Sequence, residues 1–244
     1  MKVHAVIPAA GRGERMGGKT KKQFLDLCGF PVIVHTLAVF QKSPVVDDIV
    51  CVVSKEDQSF LERLICDHAL TKVKQVIAGG ERRQDSVRAA VDLLEKESAL
   101  ENIVLVHDGV RPLVTPALIE QIVSCAQRFG GAVAALPVTD SLKEVSSDRI
   151  VQKSLTRENV WSMQTPQAFR LALLIEAYRK AAREDFSGTD EAMLVELIKA
   201  PIHCIPGSSE NIKITTESDF KMAELLLSGR AAAEKGAEAG RVRS

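Results

Sequence analysis

The densest chemistry in the chain lies in Pro8-Ala9-Ala10-Gly11-Arg12-Gly13-Glu14-Arg15-Met16-Gly17-Gly18-Lys19, followed by Thr20, Lys21 and Lys22. Glycines let a backbone approach a ligand closely and aim its N–H groups at it. Arg12, Arg15, Lys19, Lys21 and Lys22 surround these glycines, a combination suited to a polyphosphate. The strand pattern Val3–Ile7 runs straight into the segment. That places it at the carboxyl edge of a first strand, where α/β sheets bind ligands. The bland alternative is a solvated surface loop, and the position after a strand argues against it.

Three phosphate-binding readings compete. Gly11, Gly13 and Gly17 give GxGxxxG rather than the GxGxxG of a dinucleotide fold, and the second strand ends in Val53-Ser54-Lys55 without the acidic residue that fold needs. Gly13, Gly18, Lys19 and Thr20 satisfy the P-loop pattern GxxxxGK[ST], with Ile103–Asp108 as a partner strand. A P-loop follows its strand closely and opens a long helix. Here the glycine run starts well beyond Ile7, and Gly29 and Pro31 would break any helix begun at Lys19. The third reading is a nucleotidyltransferase loop. Pro8-Ala9-Ala10-Gly11-x-Gly13-x-Arg15-Met16, then Lys22-Gln23-Phe24-Leu25, resembles the signature of sugar-nucleotide-type nucleotidyltransferases, whose loop wraps a triphosphate.

Other candidates follow later strands. Gly79-Gly80-Glu81-Arg82-Arg83-Gln84-Asp85-Ser86-Val87 sets a tight turn and a helix start, with Asp85 or Ser86 as an ordinary cap in the plain reading. Asp108, in His107-Asp108-Gly109-Val110-Arg111-Pro112, is a carboxylate at a strand end, costly unless paired or solvated. It suits a Mg²⁺ ligand beside phosphate oxygens, a ribose contact, or a salt bridge to Arg111. His107 reads as a strand residue with a satisfied ring. Thr156-Arg157, the run Trp161–Phe169, Gly188-Thr189-Asp190-Glu191 and Asn211-Ile212-Lys213-Ile214-Thr215 each have a structural reading alone, with Lys213 facing solvent on an edge strand.

The elements that must position these residues alternate. Strands are predicted at Val3–Ile7, Ile49–Val53, Val73–Ile77, Ile103–His107 and Ala132–Pro137, each rich in β-branched residues and bounded by breakers. Helices are predicted between them at Val32–Gln41, Glu56–Ala69, Gln84–Lys96 and Pro116–Phe129. Thr115 then Pro116 is a cap followed by a first-turn proline. Such alternation implies βαβ units and a mostly parallel, Rossmann-like sheet flanked by helices. Leu142–Ser154 reads as two strands around Ser146-Ser147-Asp148, a β-hairpin arm leaving the core. Such a hairpin is marginal alone and wants a partner surface, for which a second subunit is one candidate. Helices at Leu171–Arg183, Asp190–Ile198 and Glu217–Leu227 and strands at Ile202–Ile205 and Ile212–Ile214 complete the fold. The expected catalytic domain is 1–228, with the arm at about 139–156. Residues 229–244, without an apolar face, are expected to be disordered.

Composition sets the class. The chain has 244 residues, 45% of them apolar, enough for one large α/β domain. Its 32 basic and 32 acidic residues cancel, which disfavours a nucleic-acid partner. Five scattered cysteines without a CxxC pair point to small core residues in a reducing compartment rather than a metal cluster. Neither a signal peptide nor an apolar run long enough for a membrane helix is present, so a cytoplasmic protein without a membrane partner is expected.

Taken in order, PAAGRGERM, KKQFL, GGERRQDSV, HDGVRP, TRENVW, QTPQAF, GTDEA and NIKIT resemble the 2-C-methyl-D-erythritol 4-phosphate cytidylyltransferases, from Val3 to about Leu227. The resemblance implies a nucleotide-diphospho-sugar transferase fold and transfer of CMP from CTP to a polyol phosphate, with Mg²⁺. It implies that Arg15 and Lys22 stabilise the transition state, while Arg157, Lys213 and Thr189 position the acceptor. Pro8, Ala9, Ala10, Gly11, Gly13, Gly79, Gly80, Ser86, Asp108, Gly109, Arg111 and Thr165 would hold CTP, with Asp108 near ribose and metal. It further implies a homodimer whose arm completes the neighbour's site. Two departures stand out: Lys21 replaces the usual proline before the lysine of the KQ motif, so Lys19 or Lys21 could share its role, and the tail has no counterpart. The rivals are a ribitol 5-phosphate cytidylyltransferase, whose first loop usually reads Leu-Ala-Gly-Gly, a P-loop phosphotransferase and a non-catalytic nucleotide-binding module.

Overall fold

An isolated strand pairs none of its backbone N–H and C=O groups within itself, so the β-branched runs must assemble side by side. The computed structural model, which describes residues 1–11 and 20–241, shows how. In chain order the elements are β1 (Val3–Pro8), a 3-10 turn (Lys22–Phe24), β2 (Asp26–Leu27), β3 (Phe30–Pro31), α1 (Val32–Lys42), β4 (Asp48–Val53), a 3-10 turn (Lys55–Asp57), α2 (Gln58–Asp67), β5 (Val73–Ala78), α3 (Arg83–Glu97), β6 (Ile103–Val106), α4 (Pro116–Phe129) and β7 (Gly131–Pro137). There follow β8 (Leu142–Val145), β9 (Val151–Leu155), β10 (Trp161–Arg170), α5 (Leu171–Arg183), α6 (Glu191–Leu197), β11 (His203–Pro206) and α7 (Glu217–Arg241).

One seven-stranded sheet runs in the order β11-β7-β10-β6-β1-β4-β5. β1 pairs in parallel with β4 and β6, β4 with β5, and β7 with β11, while β10 is antiparallel to both its neighbours. The mostly parallel sheet flanked by helices is the expected fold class.

Side-chain alternation along each strand divides the core in two. Ala5, Ile7, Ile49, Cys51, Ile103 and Leu105 pack with Leu37, Phe40 and Ile119 on the α1/α2/α4 side. Val6, Val50, Val52, Val104 and Val106 pack with Val87, Val91, Leu174 and Tyr178 on the α3/α5/α6 side. Strands buried on both faces in this way are why their sequences read as continuous apolar runs. α4 starts as its signals indicate, with the Thr115 side chain accepting from the Leu118 N–H, and stops at Gly130 in the left-handed region. A smaller cluster of Leu27, Val32, Val110, Leu113, Ile214 and Ala223 seats α7.

Three expectations are corrected. β10 was unforeseen as a strand, because Pro166 removes a ladder donor and the register slips between Met163 and Gln167. The sheet tolerates that proline because it sits at the irregularity. The expected strand Ile212–Ile214 is extended chain outside the sheet, where the Ile214 N–H donates to the Val110 carbonyl (2.9 Å) in place of a ladder. The tail expected to be disordered continues α7 as far as Arg241; alanine, glutamate, lysine and arginine are strong helix formers even without an apolar face. Residues 242–244 lie outside the described residues. The arm forms as expected, β8 pairing antiparallel with β9 as a two-stranded sheet of its own. Among the described residues no helix is long and apolar enough to cross a membrane.

Ile119→Ala should lower unfolding stability by about 2–5 kcal/mol, because its fully buried side chain would leave a cavity between α4 and the sheet. Leu225→Ala, at an exposed position of α7, should change stability by less than about 0.5 kcal/mol. Urea unfolding of both variants checks this, and equal losses would contradict the layer assignment.

Candidate active site

The parallel strands β1, β4, β5 and β6 deliver their following loops to one edge of the sheet. The Ala9 N–H donates to the Val52 carbonyl (2.7 Å), the Gly79 N–H to the Val53 carbonyl (2.7 Å) and the Gly109 N–H to the Pro8 carbonyl (3.2 Å). Two glycines make that convergence possible. A Cβ on Gly79 would fall 2.6 Å from Ser86 Oγ and 2.9 Å from Ala10 Cβ, and one on Gly109 would fall 3.0 Å from Ala9 Cβ. Pro8, Ala9, Ala10, Gly11, Gly79, Gly80, Ser86 and Gly109 thus share this edge.

Asp108 follows β6 there and is buried. Arg83 Nε lies 3.2 Å from its Oδ1, and Arg111 Nε (3.3 Å) and Lys213 Nζ (3.0 Å) lie near its Oδ2. Burial alone would raise the pKa of this carboxyl; Arg83, Lys213 and Arg111 overturn that and hold it well below the usual carboxylate range. The anticipated ion pair with Arg111 exists, with two further cations. Lys213 does not face only solvent from an edge strand, since it is half-buried against Asp108.

Arg83 also makes two 2.9 Å bonds to the carboxylate of Glu191, which is completely buried at the start of α6 and accepts from the Tyr178 hydroxyl at 3.3 Å. Arg111 Nη1 donates to the Asn211 carbonyl (2.7 Å), tying the Lys213 segment to the same site. Three cations face two carboxylates, so the cluster keeps one positive charge for an anion.

A neutral chain of bonds lies behind it. The Asp108 N–H donates to Thr165 Oγ1 (3.1 Å), and that hydroxyl meets His107 Nδ1 (3.1 Å). His107 Nε2 faces the Arg111 carbonyl at 3.1 Å, so it carries the proton and Nδ1 accepts. Burial pushes the His107 pKa down to about 4. The satisfied ring expected for His107 is what the structure holds.

Gln164 and Gln167 brace the surroundings. Gln167 Nε2 donates to Asp190 Oδ2 (2.9 Å), and its Oε1 accepts from the Ala192 N–H (3.1 Å). Asp190 caps α6 by accepting from the Met193 N–H (3.0 Å). Gln164 Nε2 donates to the Ser208 carbonyl (2.9 Å), and the buried Asn211 Nδ2 donates to the Thr165 carbonyl (2.8 Å).

Gly13, Arg15 and Lys19 lie outside the described residues. Beside them, Gln23 is buried and donates to the carbonyls of Ala9 (2.7 Å) and Gly11 (3.2 Å). Lys22 opens the 3-10 turn that carries Gln23, and among the described residues the first α-helix begins at Val32. That order does not suit the long helix a P-loop opens after its GK[ST]. Lys21 Nζ is bound to Ser54 Oγ (2.7 Å), Asp57 Oδ2 (2.6 Å) and Glu56 Oε1 (3.2 Å). Arg157 is exposed at the base of the arm, donating to the Thr139 carbonyl. Thr189 is exposed one residue before the α6 cap.

Sequence reading missed Arg83, Glu191 and Tyr178. Arg83 and Glu191 stand inside quoted motifs, each in the first turn of a helix, and that shared placement was the available signal. Tyr178 gave none, since it follows the apolar spacing of α5.

The family model of the 2-C-methyl-D-erythritol 4-phosphate cytidylyltransferases (IspD) matches residues 3–229. The chain belongs to this family. It is 43% identical to the member from Syntrophus aciditrophicus (strain SB), covering 93% of this chain and 96% of the relative. It is 45% identical to the member from Dehalococcoides mccartyi (strain ATCC BAA-2266 / KCTC 15142 / 195), with the same coverage. A crystal structure of a 4-diphosphocytidyl-2C-methyl-D-erythritol synthase superimposes with a TM-score of 0.80 at 31% identity, covering 93% of this chain and 98% of that one. The cytidylyltransferase from Thermus thermophilus gives a TM-score of 0.74 at 31% identity, with the same coverage. The family match ends at residue 229, within α7.

His107 predicts a pH dependence. The unfolded chain binds its proton below about pH 6.5, the folded chain only near 4, so His107 favours folding above pH 6.5 and that contribution is lost as pH falls toward 4. The full effect is about 3 kcal/mol. Asp108, depressed below 3.8, loses its contribution only at lower pH, which separates the two windows. Urea unfolding between pH 7.5 and 4.5 should show a shallower decline for His107→Gln than for the unaltered chain. Parallel curves would overturn the assignment.

Proposed function

We propose that the chain transfers the cytidylyl group of CTP to 2-C-methyl-D-erythritol 4-phosphate, releasing pyrophosphate and forming 4-diphosphocytidyl-2-C-methyl-D-erythritol. The observation that carries this reading is the near-full-length match to relatives of that name at 43–45% identity. An anionic oxygen of the acceptor phosphate attacks the α-phosphorus of CTP, and the bond from that phosphorus to the bridging oxygen breaks as pyrophosphate leaves. The nucleophile is already ionised, so no general base is needed. Repulsion between anions is the main barrier, and fixed cations lower it.

In this reading Arg15 and Lys22 stabilise the charge at the α-phosphorus. Pro8, Ala9, Ala10, Gly11 and Gly13 follow the phosphates, and Gly79, Gly80 and Ser86 meet the cytosine. Gly109, Arg111 and Thr165 hold the wall on which Asp108 stands, near the ribose. Arg157, Lys213 and Thr189 position the acceptor. The partial exposure of Lys213 supports its part, since the ammonium bound to Asp108 still reaches solvent where a phosphate can meet it.

Asp108 also suits Mg²⁺ arriving on CTP. It is a hard oxygen donor kept ionised, and Mg²⁺ is commonly held by one or two carboxylates plus substrate phosphates. The ion would neutralise triphosphate charge; the cations on Asp108 leave it one ligand among several rather than a cage. We place the catalytic unit at 1–228 and assign the arm at 139–156 to a homodimer contact. Val145, Val151, Leu155 and Trp161 give it an exposed apolar surface to bury. A cytoplasmic location fits the free thiols of Cys28, Cys51, Cys66, Cys125 and Cys204.

Incubation with CTP, Mg²⁺ and each polyol phosphate should release pyrophosphate with methylerythritol phosphate. Turnover with ribitol 5-phosphate alone would overturn the substrate, and CDP without pyrophosphate would overturn the reaction class. Lys22→Ala should lower kcat by roughly 10²–10³ in the same assay, the usual size for losing one electrostatic stabiliser. A near-normal rate would remove Lys22 from the reacting centre.

A further inference from the structure

Lys21 lies directly before Lys22, the lysine proposed above to act at the α-phosphorus. Its backbone lies at φ −63° and ψ 138°, the φ that a proline ring would impose. Lysine imposes nothing of the kind, yet its side chain is held at three points. Nζ donates to Ser54 Oγ (2.7 Å), Asp57 Oδ2 (2.6 Å) and Glu56 Oε1 (3.2 Å), which uses all three donors of an ammonium. Ser54 Oγ donates onward to Asp57 Oδ2 at 2.5 Å, closing the triangle. These acceptors sit on and just before the 3-10 turn after β4, the strand beside β1. Asp57 precedes α2 but its side chain makes no capping bond there, so its carboxylate is committed to the tether. On the other side of Lys22, Gln23 is clamped to the carbonyls of Ala9 and Gly11.

We propose that Lys21 is a positioning residue: its tether to Ser54, Glu56 and Asp57, together with Gln23, fixes the backbone that carries Lys22. Lys21 therefore adds no second charge at the triphosphate. An isolated exposed ion pair would be too weak for this task. Here the Lys21 and Asp57 side chains are only 21% and 15% exposed, and three acceptors converge on one ammonium. The inference rests on the nucleotidyl transfer proposed above for its kinetic consequence, though not for the tether itself.

Lys21→Ala, Asp57→Asn and Lys21→Pro separate the possibilities. Two readouts serve: steady-state kinetics with CTP and methylerythritol phosphate, and hydrogen exchange of the peptide spanning residues 20–27. That peptide holds the Phe24 and Leu25 amides bonded to the Lys21 and Lys22 carbonyls. Lys21→Ala and Asp57→Asn should each lower kcat about tenfold or more, with a smaller change in KM for CTP, as misplacement of a reacting group does. Both should speed exchange in this peptide while α4 exchanges as before. Lys21→Pro, which imposes the observed φ without the charge, should keep most of the kcat and the protection. Lys21→Pro as slow as Lys21→Ala, with protection intact, would show that the charge itself is needed and overturn the proposal. Unchanged exchange and kcat in Lys21→Ala and Asp57→Asn would overturn it equally. If the unaltered chain turned over no polyol phosphate, the functional reading would fail, and the exchange measurement alone would still decide the tether.

Discussion

The site depends on one buried charge. Asp108 sits at the end of a central strand, and a carboxylate there is stable only if its field is answered. Arg83 from the start of α3, Arg111 from the following turn and Lys213 from the segment before α7 all answer it. These residues are far apart in sequence, so the ionised Asp108 draws three pieces of chain to one point. Arg83 in turn is held by Glu191 and Tyr178 in the layer behind, which carries the constraint into α5 and α6. A partly broken network of this kind is costly, because each lost partner leaves a buried charge uncompensated.

Buried carboxylates at the centre of a site proposed for anions have a physical logic. Three cations crowded together without counter-charge would repel one another and splay into solvent. Asp108 and Glu191 hold them at fixed positions while leaving a net positive charge. A ligand phosphate then meets cations that need little rearrangement, which is where preorganised electrostatics gain over water. The neutral bonds through Thr165 and His107 serve the same end from behind, by orienting the backbone at Asp108 without adding charge.

Much of this was legible in the sequence, for identifiable reasons. Parallel strands buried on both faces leave runs rich in valine and isoleucine, so β1, β4 and β6 could be read directly. The Thr115-Pro116 start of α4 and the Asp190 cap of α6 are local chemistry, visible within four residues. β10 was hidden because its register slip and Pro166 erase any period, and only pairing with two distant strands makes it a strand. Ile212–Ile214 misled in the opposite direction: three residues of strand composition lack a neighbour to pair with. Asp108 was found as a candidate because a charge at a strand end is conspicuous. Arg83 and Glu191 were not, since a charged residue in the first turn of a helix is commonplace until the fold shows what it faces.

Lys21 shows how a side chain can do what a rigid ring does elsewhere. A proline restricts the unfolded and folded chain alike, so its lock needs no partner. A lysine at the same φ must be held by contacts formed only on folding, and those contacts have to come from elsewhere in the chain. Ser54, Glu56 and Asp57 follow β4, which the sheet sets beside β1, and they reach Lys21 from there. A lysine is compatible with the fold here because the parallel β1–β4 pair already brings an acidic turn within reach of its ammonium. With an apolar turn after β4, the same ammonium would find none of these acceptors to hold the residue before Lys22 in the extended region.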